Sequence, residues 1–244
     1  MKFEVIQNEY SALLKEIQSY FKNSQNSIHK ARNEIKIIDF KQKSLVIKSF
    51  KVPHLINRVV YTFFRDSKAK KSYENSVKIA QFVPKPIGFV ELKKSGLLHE
   101  SYFVSENFEY DFTIREPLLE SVFLDREKIF KAFAEFTFKL HVEGIFHLDY
   151  SPGNILIKKE SDGYIFKIVD INRMEFKPLN LDKRLKNFSK LWAKDEDLKI
   201  IIKEYARLYK SDEERSIKIA LQYSQAHKNR KNRKKRLRGE AVVD

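Results

Sequence analysis

The stretch from Leu140 to Met174, LHVEGIFHLDYSPGNILIKKESDGYIFKIVDINRM, sets four polar side chains around a tight β-hairpin: His147, Asp149, Asn154 and Asp170. These residue types suit transfer of a phosphoryl group to a hydroxyl. That reaction needs a carboxylate to orient the attacking oxygen and take its proton, oxygen ligands for Mg²⁺, and a cation on the nucleotide phosphates. Asp149 fits the base. Asn154, five residues on, suits a metal ligand at the far end of the loop, and Pro152 and Gly153 let the loop curl. Asp170 ends the hairpin's second strand and offers a hard cation a carboxylate. Upstream, Lys48 in LVIKSF would reach the phosphates, and Glu74 on the following helix would hold its ammonium. Plainer readings exist for each. Asp, Ser, Pro, Gly and Asn are ordinary turn residues, Lys48 fits a solvated edge strand, and Asp66 is a second acid near Glu74. His141 reads as a capping or packing residue. Arg173 fits either an acceptor's acidic group or a structural ion pair.

The elements that must hold these residues follow from apolar spacing. Residues 9–21 show an i, i+3, i+4 apolar stripe with Asn8 as N-cap, and 34–40 with 44–50 read as a hairpin. A helix is predicted over 55–64, and another from Lys68 to Phe82 with Ser67 as N-cap and Ala69, Tyr73, Val77 and Ala80 on its inner face. Strands follow in 83–92 and 97–106. Asn107–Thr113 (NFEYDFT) breaks the alternation and reads as a linker. A long helix from Asp125 to Glu143 buries Phe130, Phe133, Ala134, Phe136, Thr137 and Leu140, with Gly144 closing it. The hairpin at 155–169 and helices at about 182–192, 195–209 and 212–227 complete an α+β chain.

The pattern H-x-D-x-x-x-x-N, then a hairpin and an Asp, with an upstream strand Lys and helix Glu, resembles the protein-kinase superfamily. More closely, the chain is similar to the lipopolysaccharide kinase family, which phosphorylates Kdo or heptose sugars of the inner core. The matching stretches are KARNEIKIIDF, VIKSFKVPHLINRVVYTFFRDSKAKKSYENS, VPKPIGFVE, HVEGIFHLDYSPGNILI and IVDINRMEF, spanning Ile28 to Phe188. The resemblance implies a two-lobed, protein-kinase-like α+β fold, with residues 1–107 as N-lobe, 108–227 as C-lobe and 228–244 as a disordered basic tail. It implies ATP and Mg²⁺ as cofactors, Asp149 as base, Asn154 and Asp170 on the metal, Lys48 on the phosphates and Glu74 paired with Lys48. His147 would brace the loop, and Glu106–Phe108 would be the hinge that meets adenine. The departures carry information. The first glycine is Gly88, so no glycine-rich loop exists; the equivalent turn is His29–Asn33, where Lys30 and Arg32 would touch phosphate. Leu148 stands where protein kinases carry Arg, and the segment after Asp170 is too short for peptide docking. A small-molecule or glycolipid kinase is favoured over a protein kinase.

Composition bounds the rest. The 244 residues include 20 Phe, 11 Tyr and no Cys, which fits an ordered core and excludes disulfides and Cys-based zinc sites. The N-terminus lacks a signal-peptide core and no window is apolar enough to span a bilayer. The formal charge is +15, and Lys228–Arg238 (KNRKNRKKRLR) carries eight basic residues and no acid. That run fits an anionic membrane face. The expected partner is therefore a membrane glycolipid of the lipid A–core type, met by a cytoplasmic protein lying peripherally on the inner membrane. The non-enzyme alternative is a nucleic-acid-binding or scaffold pseudokinase, which would bind nucleic acid with steep salt dependence.

Overall fold

The computed structural model describes residues 1–30, 33–51 and 54–241, the side chains of His29 and Lys30 excepted. The chain divides into two compact units. The first comprises Met1–Glu109 with Asp170–Arg173, the second Tyr110–Val169 with Met174 onward.

The first unit is built on an antiparallel sheet. Its elements are β1 (Lys2–Val5), α1 (Ser11–Lys15), α2 (Ile17–Asn23), β2 (Ser27–Lys30), β3 (Asn33–Phe40), β4 (Lys43–Phe50), α3 (Leu55–Phe63), α4 (Lys68–Lys78), β5 (Pro86–Lys94) and β6 (Leu97–Glu106). The strands lie in the order β1-β5-β6-β4-β3-β2. Period-two alternation in β4 decides which residues serve which face. Leu45 and Ile47 enter a core with Leu13, Leu14 and Ile17 of the first two helices. Phe50, two residues from Lys48, turns to the opposite face and packs with Ala69 and Tyr73 of α4 and with Phe89. The β3–β4 turn places Lys41 and Gln42 at φ 48° and 62°, the left-handed pair that matches hairpin twist.

Two helices differ from their sequence pattern. The stripe expected as one helix over 9–21 is broken at Glu16, whose φ of −107° and ψ of 21° separate α1 from α2. Asn8 caps neither. In α4, Ser67 does cap, accepting from Lys70 N at 3.1 Å. The buried face, however, is Ala69, Ser72, Tyr73 and Ser76, while Val77 is 46% exposed. Ser72 and Ser76 can be buried because each hydroxyl donates to the carbonyl four residues back, at 2.8 and 2.7 Å.

The second unit contains β7 (Phe112–Thr113), α5 (Arg115–Leu119), α6 (Arg126–Val142), β8 (Ile145–His147), β9 (Ile155–Glu160), β10 (Gly163–Ile168), β11 (Met174–Phe176), α7 (Leu181–Asn187), α8 (Asp195–Tyr209) and α9 (Glu213–Arg236). Helix α6 is central, and every residue expected on its inner face is buried. Phe133 packs its ring against Tyr150, Phe166 and Phe188. Gly144 ends the helix at φ 70°, and a Cβ there would meet Lys177 O at 2.8 Å.

The basic run does not begin a disordered tail at Lys228. Helix α9 continues through it to Arg236. Its buried residues are Ser216, Ala220, Ser224, His227 and Asn232, a helical stripe made of small and polar residues rather than large apolar ones. Lys228 Nζ donates to Ala193 O at 2.8 Å and fastens the start of the run.

Candidate active site

In the first unit, Lys48 Nζ lies 2.6 Å from Asp170 Oδ1, joining residues far apart in sequence. Both side chains are mostly buried, at 13% and 27% exposure, and the ammonium also sits over the Phe50 ring at 5.4 Å. Asp170 adopts φ 56°, a left-handed conformation that Asp tolerates better than most residues. Asn172 Nδ2 donates to Asp170 Oδ1 at 2.7 Å, and Asn75 of α4 donates to Ile171 O at 2.6 Å.

The expected Lys48–Glu74 pair is a correction. Glu74 is exposed and bonds Lys70 at 3.4 Å, while Lys48 takes Asp170. The reason is the register of α4. Burial of Ser72 and Ser76 turns Glu74 to the outer face, where the i, i+4 lysine neutralises it. Asn75, the next residue, makes the polar link to the Asp170 segment instead. At the other end of the sheet, Glu106 pairs with Lys85 at 3.2 Å, and Asn107 N donates to Ser44 O at 2.9 Å. Among the described residues the half-buried Phe108 has no partner for its N–H, which fits a hinge amide. Arg32 lies outside the described residues, as does the side chain of Lys30.

In the second unit the loop after β8 is fixed by hydrogen bonds. His147, 1% exposed, accepts from Asp149 N at Nδ1 (2.9 Å), so its Nε2–H donates to Val169 O (3.0 Å). Asn154 Nδ2 donates to Asp149 O at 2.9 Å, which leaves the amide oxygen Oδ1 for a cation. Pro152–Asn154 form one turn of 3₁₀ helix. Gly153 leaves room for Arg115, whose Nη2 would stand 2.6 Å from a Cβ there and would have to swing aside. The backbone N and O of Asp149 are both engaged, which fixes its main chain within the loop.

A buried polar layer supports this loop from below. Thr137 Oγ1 donates to Phe133 O, so the Tyr150 hydroxyl donates to Thr137 at 2.8 Å. Asn187 Nδ2 donates to His147 O at 2.9 Å, and its Oδ1 accepts from His141 Nε2 at 3.1 Å. His141 Nδ1 then accepts from the Tyr205 hydroxyl at 2.8 Å. The sequence reading placed Thr137 on the inner face of its helix but singled out neither Asn187 nor Tyr150.

Burial drives the His141 pKa down from 6.5 to about 4, and Arg184 acts in the same direction. The imidazole is neutral in the folded chain, whereas an unfolded His141 takes up a proton near pH 6.5. The stability it contributes is therefore intact above pH 6.5 and is lost as pH falls towards 4, by up to ~3 kcal/mol. Urea unfolding at stepped pH is expected to show this loss. His141→Phe is expected to be weaker at pH 7 with a shallower acid slope, and an unchanged slope would refute the attribution.

The loop also borders a basic groove. In the second unit a groove of about 590 Å³ is lined by Leu148, the neighbour of Asp149 in sequence, and by Lys183, Lys186, Lys190 and Arg230. Its Glu175 carboxylate is paired with Lys177. Among the described residues no carboxylate lies within ion-pair distance of Lys183, Lys186 or Arg230. His227 on the same wall has its pKa lowered to about 4, by burial first and then by Lys190, Lys231 and Arg230. A separate depression of about 700 Å³ beside α6 and β10 alternates acid and base and contains none of the site residues.

Asp170 in the first unit offers a carboxylate and Asn154 in the second an amide oxygen, each a ligand type that a hard cation takes. Among the described residues no group of three or more His, Asp or Glu side chains gathers as a metal cluster.

No family model and no curated protein matches the chain. Solved structures do match in fold, 1075 chains of them, a breadth that cannot by itself select an acceptor. One is "WaaP in complex with acyl carrier protein", with a TM-score of 0.60 at 10% identity, covering 94% of this chain and 99% of that one. The chain thus has the fold of WaaP over nearly its whole length.

Proposed function

We propose that the chain belongs to the lipopolysaccharide kinase family and transfers the γ-phosphoryl group of ATP to a Kdo or heptose hydroxyl of the inner core. The observation that carries this reading is the Lys48–Asp170 ion pair at 2.6 Å. It couples a strand lysine to the acid that follows the hairpin, in a chain that also holds Asp149 and Asn154 on one hydrogen-bonded loop. The shared fold with WaaP supports it. Asp149 is the base that takes the proton of the acceptor hydroxyl. Asn154 Oδ1 and the Asp170 carboxylate are the oxygen ligands for Mg²⁺, which when bound neutralises charge on the phosphates. Lys48 steers the phosphates, Lys30 and Arg32 contact them from the turn that replaces a glycine-rich loop, and Glu106–Phe108 presents backbone to adenine. His147 positions the loop through Val169 O.

The basic groove beside Leu148 favours an acidic acceptor over a neutral one, because Lys183, Lys186 and Arg230 on its wall would attract phosphate or carboxylate. The exposed basic face of α9 then meets an anionic leaflet at the inner membrane, at about 1 kcal/mol per basic residue near the surface. The decisive experiment is mass spectrometry of host lipopolysaccharide with and without the protein. One added phosphate on the inner core is expected, and an unchanged core would reject the acceptor. Neutralising Lys231, Lys234 and Lys235 to Gln is expected to weaken low-salt binding to anionic vesicles by tenfold or more. Equal binding would remove α9 from the membrane contact.

A further inference from the structure

Helix α3 is amphipathic but docks the wrong way round for a soluble protein. Its polar side faces the sheet. Arg58 Nε donates to Leu98 O at 2.9 Å, Arg58 Nη2 to Lys94 O at 3.4 Å, and Leu98 N donates to Thr62 Oγ1 at 2.8 Å. Arg58 and Thr62 are four residues apart and so lie on one face. Next to these two around the helix runs the row Leu55, Val59 and Phe63, with Ile56 further round towards the outer side, and Phe64 follows. Their exposures are 65%, 38%, 68%, 80% and 78% respectively, and no residue of the helix is buried. A surface helix ordinarily turns its apolar stripe to the core. A contiguous exposed patch of this kind marks an interaction surface.

Charge identifies the occupant. The helix is flanked by the exposed basic residues Lys51, Arg65, Lys68 and Lys71. The acid between them, Asp66, is taken by Lys70 at 2.5 Å. A second copy of the chain docking here about a two-fold axis would press these like charges together. An anionic lipid surface complements them, with apolar and aromatic side chains below and cations at the headgroups. Nine residues are too few to span a bilayer. We propose that α3 is an interfacial anchor: the Leu55–Val59–Phe63 row, Ile56 and Phe64 enter the headgroup–acyl boundary of an anionic membrane. Arg58 and Thr62 keep the helix fastened to the sheet meanwhile. This deepens the membrane placement proposed above but stands on α3 alone.

The contact is distinguishable from α9 by its salt dependence. Attraction through surface lysines fades at about 1 M salt, where the screening length is ~3 Å, whereas apolar insertion persists. Full-length protein is sedimented with phosphatidylglycerol–phosphatidylethanolamine vesicles at both low and ~1 M salt. The wild type is expected to retain binding at high salt. The Ile56→Gln/Phe63→Gln/Phe64→Gln variant is expected to lose it by at least tenfold, since three large apolar side chains no longer leave water on binding. Its melting temperature should be unchanged, as all three side chains are exposed. A Phe64→Trp reporter should shift its emission to the blue on vesicles, read against the wild type's single Trp192. The inference is overturned by salt-resistant binding that survives in the triple variant, by an unshifted reporter, or by a lipid-free dimer that the variant abolishes. Transfer to a soluble acceptor, assayed separately, tests the kinase reading without touching this one.

Discussion

Asp149→Asn is expected to lower kcat by ~10³-fold while the fold and the affinity for Mg-ATP stay intact. A positioned base contributes typically ~10²–10⁴ to proton transfer, and in the proposed reaction Asp149 is the group that accepts the hydroxyl proton. The substitution isolates chemistry from structure. Asp149 holds its loop through main-chain atoms, its N donating to His147 Nδ1 and its O accepting from Asn154 Nδ2 and Ser151 N. An asparagine of the same size keeps those bonds and removes the basic oxygen. Single-turnover transfer from labelled ATP, with nucleotide affinity measured by calorimetry, reads the two effects apart. Transfer within tenfold of wild type would sink the assignment. Lost nucleotide binding would mean that the loop has moved.

The geometry of the His147–Asn154 loop was legible because its residues are short-range: His147, Asp149 and Asn154 are held to one another by bonds spanning two to five positions. The same holds for the N-cap at Ser67 and for the inner face of α6, where one strong period decides burial. What the sequence concealed is of two kinds. Glu74 was assigned from the commonest kinase pairing, but its orientation depends on whether Ser72 and Ser76 are buried. A serine that bonds back to its own helix looks polar in a pattern and behaves as a small core residue. The same ambiguity hid the end of α9, whose inward stripe of Ser216, Ala220 and Ser224 carries almost no hydropathy signal. The second kind is long-range. Asn187 reaches His147 O across 40 positions, and Arg115 reaches Gly153 across a comparable gap. Neither side chain sits in any spacing rule, since only the tertiary fold brings it to the loop. Helix α3 stands apart: its period was read correctly as a helix, yet the face that would normally be buried is the one turned out.

Lys48→Met and Glu74→Gln should separate by more than an order of magnitude, whereas a Lys–Glu pair that works as a unit would lose equally from either side. Lys48 is the proposed phosphate ligand, and its side chain lies on the α4 face of β4 beside Phe50. Methionine fits that apolar face, so the fold should tolerate the change. The lost cation should lower kcat/KM for ATP by ~10²–10³-fold, the scale of one electrostatic contact to the transferring group. Glu74 has its carboxylate on Lys70 at the solvent face, 48% exposed. An exposed i, i+4 pair contributes only ~0.3–0.5 kcal/mol, so Glu74→Gln should change kcat/KM less than threefold. Asp170→Asn completes the test, since it removes both the partner of Lys48 and the proposed metal oxygen. It should abolish transfer and also shift the Mg²⁺ dependence of nucleotide binding, a readout that a purely structural ion pair would leave alone. The Lys48→Met/Asp170→Asn double variant should be no worse than Asp170→Asn by itself, because one functional unit has already been lost. If Glu74→Gln falls as far as Lys48→Met, the helix rotates during turnover to deliver Glu74. The Lys48–Asp170 bond would then describe a resting arrangement rather than the working one.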